Sequence, residues 1–358
     1  MKQSKEYHQL ALDIYERKFG TEHGDVAGTY NCLGSVHSQL GDFEQAKNYH
    51  KRALDIYVKK FGAEYVHVAT VHNNLGAIYR KLGEFDQAQQ YHQRALHIYV
   101  EKLGPEHVDV ATTYNNLGLV HLQLGDFEQA KDYHQRASNI YVKKLGAEHV
   151  HVATTYNNFG EIYRQFGDLE QANTYHQRAL SIYVKKLGVQ HGDVAATYKN
   201  LGAIHSQLGD FTKAEEYNQR ALVIYVKKFG VEHGDVASTY NNLGEIRRNL
   251  GDFQGAEEYH QRALATFIKK FGVQHGDVAT TYNYLGEIHR RRGDFKQAEK
   301  YHKHALDIYV KKFGSQHSDV ATTYKSLRDI YSHLGDFEQA KDCLQRASAI
   351  CGKFSAEK

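Results

Sequence analysis

A Leu-Gly pair recurs along this chain at a fixed step of 42 residues, and that regularity constrains the fold more than any other feature. The pair stands at Leu33-Gly34, Leu75-Gly76, Leu117-Gly118, Leu201-Gly202, Leu243-Gly244 and Leu285-Gly286, with Phe159-Gly160 filling the one gap. Seven residues further on comes another glycine followed by an acid, from Gly41-Asp42 to Gly335-Asp336. No insertion or deletion interrupts the step. Such a period marks a stacked-repeat architecture, not the two or three globular domains that 358 residues would otherwise suggest. It also explains the composition: one proline beside 30 glycines, 24 histidines and 27 tyrosines reflects a few positions refilled many times.

Each unit reads as two helices. Val110, Tyr114, Leu117, Val120 and Leu124 keep the spacing of an amphipathic first helix, with Asp109 as the expected N-cap and Gly125 as its stop. Asp126 then begins the second helix, with Gln129 placed to close a capping box. Phe127, Ala130, Tyr133 or His134, Ala137 and Ile140 are expected inward, and Lys143-Lys144 before Gly146 suit a helix C-terminus. One hairpin cannot bury both faces, so neighbours must stack, with Gly118, Ala130 and Ala137 allowing close backbone approach. The expected organisation is a partial repeat at 1–24, holding a second helix only, then eight units over 25–358. These start near 25, 67, 109, 151, 193, 235, 277 and 319, and the last is atypical: Arg328 replaces glycine and Cys343-Leu344 replace Tyr-His. The uncovered apolar face of the opening half-repeat points to a longer protein or to self-association.

The order of an aromatic, Leu-Gly, a later glycine, then an aromatic and two alanines seven apart resembles the tetratricopeptide repeat over almost the whole chain. The 42-residue length, and the stretch His107-Val108-Asp109-Val110-Ala111-Thr112-Thr113-Tyr114-Asn115-Asn116-Leu117, are most similar to kinesin light chain repeats. Where those repeats usually have proline after the histidine, this chain has Gly24, Gly192, Gly234 and Gly276, or valine or serine, and it carries no heptad segment. The resemblance implies an all-α, right-handed superhelical solenoid that acts as a protein-interaction scaffold. Its specific version would be a kinesin-light-chain-like cargo adaptor. The alternative is an oligomerisation or sensor array of a larger signalling protein.

In arrays of that type the first helices line a concave groove that takes extended peptides. The matching positions two before the leucine are Asn31, Asn73, Asn115, Asn157, Lys199, Asn241, Asn283 and Lys325. A carboxamide can donate and accept at once, so this ladder is expected to hold a peptide backbone, while Asn74, Asn116, Asn158, Asn200 and Asn242 brace neighbouring units. Selectivity would come from the places that vary. Leu119 and Leu122 would take an apolar anchor, and Arg80, Arg164, Arg248 and Arg290 would meet acidic groups, so an acidic or mixed segment is the expected ligand. Glu161, Glu245 and Glu287 lie three residues before the last three arginines, and simple intrahelical pairing is the competing reading.

Other functions find little support in the sequence. A formal net charge of +3 is too balanced for a polyanion binder. The lysine pairs from Lys59-Lys60 to Lys311-Lys312 are read as helix-dipole partners on an edge without aromatic stacking platforms. His8, His50, His92, His134, His176, His260 and His302 recur by whole units, too far apart for one zinc, and are expected as a packed ladder that destabilises the fold near pH 5–6. Cys32, Cys343 and Cys351 are expected as buried, reduced thiols. No Ser-His-Asp order, phosphate loop, membrane span or signal peptide stands out. We therefore expect a cytoplasmic, non-enzymatic protein with no cofactor, no metal, no nucleic acid and no membrane insertion.

Overall fold

The computed structural model describes residues 2–356, with the side chains of residues 3–351. Among the described residues there are seventeen α-helices and no strand. They fall into two compact units, Met1–Ile182 and Tyr183–Lys358. The first holds α1 (Lys2–Phe19), α2 (Gly24–Leu40), α3 (Phe43–Phe61), α4 (Val66–Leu82), α5 (Phe85–Leu103), α6 (Val108–Leu124), α7 (Phe127–Leu145), α8 (Val150–Gln165) and most of α9 (Leu169–Leu187). The second holds α10 (Gly192–Gln207), α11 (Phe211–Phe229), α12 (Gly234–Asn249), α13 (Phe253–Phe271), α14 (Gly276–Arg291), α15 (Phe295–Phe313), α16 (Ser318–Leu334) and α17 (Phe337–Ala356). Within the units, α2, α4, α6, α10, α12, α14 and α16 each pair with the helix that follows.

Helix ends carry much of this regularity. Gly125 adopts φ 79°, which a side chain would resist, and this turns the chain so that the Asp126 N–H reaches the His121 carbonyl at 2.9 Å. Asp126 then accepts the Gln129 N–H at 3.2 Å and starts α7. The N-cap of α6 differs from the sequence expectation. His107 occupies it, and its Nδ1 accepts the Asp109 N–H at 3.2 Å. Asp109 lies inside the first turn, where its charge favours the helix dipole. Position 65 has lost this cap, because Tyr65 replaces the histidine and makes no side-chain cap bond.

The core is a stripe of small and branched residues. Val110, Ala111, Leu117, Val120, Ala130 and Ala137 are fully buried. Leu124, expected inward, is 45% exposed. Tyr141 is buried in the last turn of α7, where Ile140 had been expected, and Ile140 is only half-buried. The glycine of the repeated pair makes room for an imidazole ring, except at Gly202, which faces the Asn218 carboxamide. A Cβ on Gly118 would stand 2.7 Å from the His134 imidazole, and the same holds for Gly76 against His92.

A second glycine column is matched in the same way. Cβ atoms on Gly24, Gly234 and Gly276 would approach Phe61, Phe271 and Phe313 Cζ to 3.1, 3.1 and 3.2 Å. Where valine replaces the glycine, at Val66, Val108 and Val150, leucine replaces the phenylalanine, at Leu103, Leu145 and Leu187. The two side chains share one space, so a larger residue at one end needs a smaller one at the other.

Candidate functional site

The asparagines proposed as a peptide ladder are already committed to the protein itself. Asn31, Asn73 and Asn115 accept the Nδ1–H of His50, His92 and His134 at 2.8, 2.6 and 3.0 Å. Asn157, Asn241 and Asn283 do the same for His176, His260 and His302 at 2.8, 2.9 and 2.8 Å. In the first three units the same oxygen takes a second bond from the following unit. Asn74, Asn116 and Asn158 donate to Asn31, Asn73 and Asn115 at 3.0, 3.1 and 2.8 Å. Asn73 and Asn241 are buried, and their Nδ2 groups donate to Thr113 and Thr281 at 3.1 and 2.8 Å. Each first asparagine is therefore a clamp on its own histidine, and in several units also on the next unit. In the first three units the carboxamide oxygen thus ends two internal hydrogen bonds and has little left for a ligand.

One signal in the sequence could have shown this. Where Lys199 replaces the asparagine, Asn218 replaces the histidine 19 residues on, and where Lys325 replaces it, Leu344 does. The two columns change together because they touch. Lys199 turns instead toward Ser238, at 3.4 Å, and Asp235, at 3.9 Å, while Lys325 is exposed. Asn218 bonds the Ala214 carbonyl at 2.8 Å and accepts from Asn242 at 3.2 Å.

The variable columns divide sharply. Arg164 grips Glu161 through two bonds of 2.8 and 2.5 Å, Arg248 grips Glu245 at 3.0 and 3.0 Å, and Arg290 grips Glu287 at 2.7 and 2.7 Å. These are the intrahelical pairs, with both partners part-buried. Burial works to raise the Glu245 carboxyl, but the nearby His260 and the bonds from Arg248 outweigh it and hold it below the usual range. Donating to Glu245 in turn raises Arg248. Arg80 is different. Ala77 stands three residues before it, no carboxylate pairs with it among the described residues, and burial lowers its pKa. Its Nη1 reaches across to Gln123 Oε1 on α6 at 3.5 Å, on the helix that carries the half-buried Leu119 and Leu122.

From His50 on the histidine ladder is buried, with Nδ1 satisfied and Nε2 of His92, His134, His176, His260 and His302 lacking a partner, whereas His8, expected in the same ladder, is only half-buried. Burial lowers His50, His176 and His302 to about 4, and His92 and His134 to about 3. Among the described residues no group of three or more His, Cys, Asp or Glu is placed to hold a metal ion. No described helix is long and apolar enough to cross a membrane. Cys32 is exposed, contrary to expectation, while Cys343 is buried.

The lysine edge also departs from its expectation, because aromatic rings do lie along it. Phe229, Phe271 and Phe313 are each 43% exposed. Each is stacked on His233, His275 or His317 at 4.5, 4.5 and 4.6 Å, with Lys228, Lys270 or Lys312 over the ring. The companion residues Lys59, Lys143 and Lys269 pair with Glu22, Glu106 and Glu232. Ring faces and charges on this edge are thus largely matched internally.

These features define a class: an all-α solenoid of helical hairpins, clamped hairpin to hairpin by buried polar groups. The tetratricopeptide repeat family model matches residues 1–59, 67–143, 109–185, 151–227, 193–269, 235–311 and 277–353, and the chain belongs to that family. Its repeats are 42 residues long. Among solved structures it is similar to BtubC (BKLC) from P. vanneervenii, at 26% identity and a TM-score of 0.53 over 66% of this chain and 92% of that one. A kinesin-light-chain-type protein of Podosopora anserina with nearly identical TPR-like repeats is similar at 19% identity and a TM-score of 0.49, over 58% of this chain and 99% of that one. The apo form of RapI is similar at 16% identity and a TM-score of 0.60, over 80% of this chain and 98% of that one. No curated protein matches the sequence.

Proposed function

We propose that the chain is a non-enzymatic, cytoplasmic interaction scaffold that captures an extended, acidic segment of a partner protein on the first-helix face of residues 1–182. The observation that carries this reading is Arg80. In the other units with arginine at this place a glutamate on the same helix neutralises it, whereas Arg80 is half-buried without a carboxylate. A partly desolvated guanidinium gains most from an external carboxylate, which it can hold through two parallel bonds. Leu119 and Leu122 then offer apolar contact beside it. The paired Arg164, Arg248 and Arg290 join binding only where a ligand displaces their glutamates. The asparagines serve by fixing the spacing of the face. A cargo-adaptor role of the kinesin-light-chain kind is the specific form of this reading, supported by the length and type of the repeat.

Selection from a displayed library of random peptides tests it. Enriched sequences are expected to carry an acidic residue next to an apolar one, and to bind at least about tenfold more weakly to Arg80→Gln. Enrichment of basic sequences, or equal binding by Arg80→Gln, would overturn the reading.

A further inference from the structure

Seven units have tyrosine at one place in the first helix: Tyr30, Tyr114, Tyr156, Tyr198, Tyr240, Tyr282 and Tyr324. The remaining unit has His72. The tyrosine ring packs beside the tyrosine of the second helix, as Tyr30 does with Tyr49 at 6.0 Å, and His72 keeps that contact with Tyr91 at 5.5 Å. The phenol reaches further than an imidazole can. Tyr30 extends its hydroxyl to Glu16 on the preceding second helix at 2.7 Å. At His72 that outer end is missing, and a cavity of about 570 Å³ opens between α5 and the turn that precedes α4. This lies within the range of small-ligand sites.

The lining of the cavity has a definite chemistry. His72 is 8% exposed, and its buried Nδ1 has no hydrogen-bond partner. Arg94 sits 5.9 Å from the centre of the Tyr91 ring, and among the described residues no carboxylate pairs with it. His97 and Gln93 add further donors, Ile98 supplies apolar wall, and Glu64 is the one acid in the lining. Burial and the nearby Arg94 keep His72 neutral, with a pKa lowered to about 4. The site therefore combines a ring-sized slot with a free guanidinium at its side.

We infer that this cavity binds a single-ring aromatic acid, whose ring lies beyond His72, where the outer end of the tyrosine reaches in the other units, and whose carboxylate pairs with Arg94. The same chemistry is carried by a free aromatic acid and by a protein chain that ends in tyrosine or phenylalanine. The site lies apart from Arg80, Leu119 and Leu122, so it stands independently of the proposed groove function.

Calorimetric titration of the full chain with 4-hydroxyphenylacetate, with the tripeptide Gly-Gly-Tyr, and with its C-terminal amide tests the inference. Saturable binding of an acid is expected, with at least about tenfold loss on amidation and in Arg94→Gln, and no change in Leu119→Ala. His72→Tyr restores the residue of seven sibling units, so it should fold and abolish binding. Tighter binding of the tripeptide would identify a chain end as the natural ligand, and tighter binding of the free acid a metabolite. No saturation by the unmodified chain up to about 10 mM, or equal affinity in His72→Tyr and Arg94→Gln, would overturn it.

Discussion

A β-carbon placed on Gly234 would stand 3.1 Å from Cζ of Phe271, two residues 37 positions apart that share one small space. Gly234→Val should therefore overpack the joint and cost about 1–3 kcal/mol. Phe271→Leu in the same chain recreates the Val–Leu pairing of three other units and should recover most of the loss. Thermal unfolding of the two single variants and the double variant measures this directly. An additive double variant would show that the residues do not compete for space.

Acid should weaken the fold through the histidine ladder. The buried imidazoles have folded pKa values of about 3 to 4, against 6.5 when unperturbed, so the unfolded chain takes up protons first. Their contribution is complete above about pH 6.5 and drains away as pH falls toward 4, a wider window than the pH 5–6 expected from sequence. By pH 5.5 the loss is about 1 kcal/mol per histidine. Melting temperatures from pH 8 to pH 5 should fall steadily below pH 6.5, and a flat profile would contradict the burial of these rings.

Asn73→Ala removes the acceptor for both His92 and Asn116 and leaves one buried and one half-buried donor unpaired. A loss of about 2–4 kcal/mol is expected, since each stranded group costs about 1–3 kcal/mol in full burial and Asn116 is only half-buried. Peptide binding by the remaining folded protein should change little. Stability and binding measured on the same variant separate a clamp from a ligand contact: weakened binding with unchanged melting would restore the ladder reading.

Ala77→Glu would give Arg80 the partner that Arg164, Arg248 and Arg290 already have. Stability should rise slightly, by about 0.2–0.5 kcal/mol, as for other intrahelical pairs. Binding of any acidic peptide to the first-helix face should fall, because the guanidinium is then occupied. Unchanged affinity would place the peptide contact elsewhere.

Much of the fold could be read from spacing, because a hairpin repeated without a gap leaves few alternatives. What periodicity missed were directions. Two polar residues near a helix start, His107 and Asp109, both look like caps, and only backbone geometry shows that the imidazole accepts the N–H. Leu124 keeps the apolar period yet is the last residue of its helix, beside the turning Gly125, and stays exposed. The asparagine columns were harder still. Their partners are 19 and 43 residues away, and a carboxamide looks equally suited to a ligand or to a neighbour. The paired exchange of Lys199 with Asn218 held the missing information, as did the pairing of glycine with phenylalanine and of valine with leucine.

The Gly–Phe and Val–Leu joints close within single hairpins, while the asparagine clamps in the first three units reach from each hairpin to the next through the same chemical groups. A hairpin of this kind is a portable cassette. Copying or deleting one in frame brings identical edges together, so gene slippage could change the length of the array without any new surface having to be invented. Divergence after such a copy would fall on the columns outside these joints and clamps, and His72 and Arg80 stand in two of them.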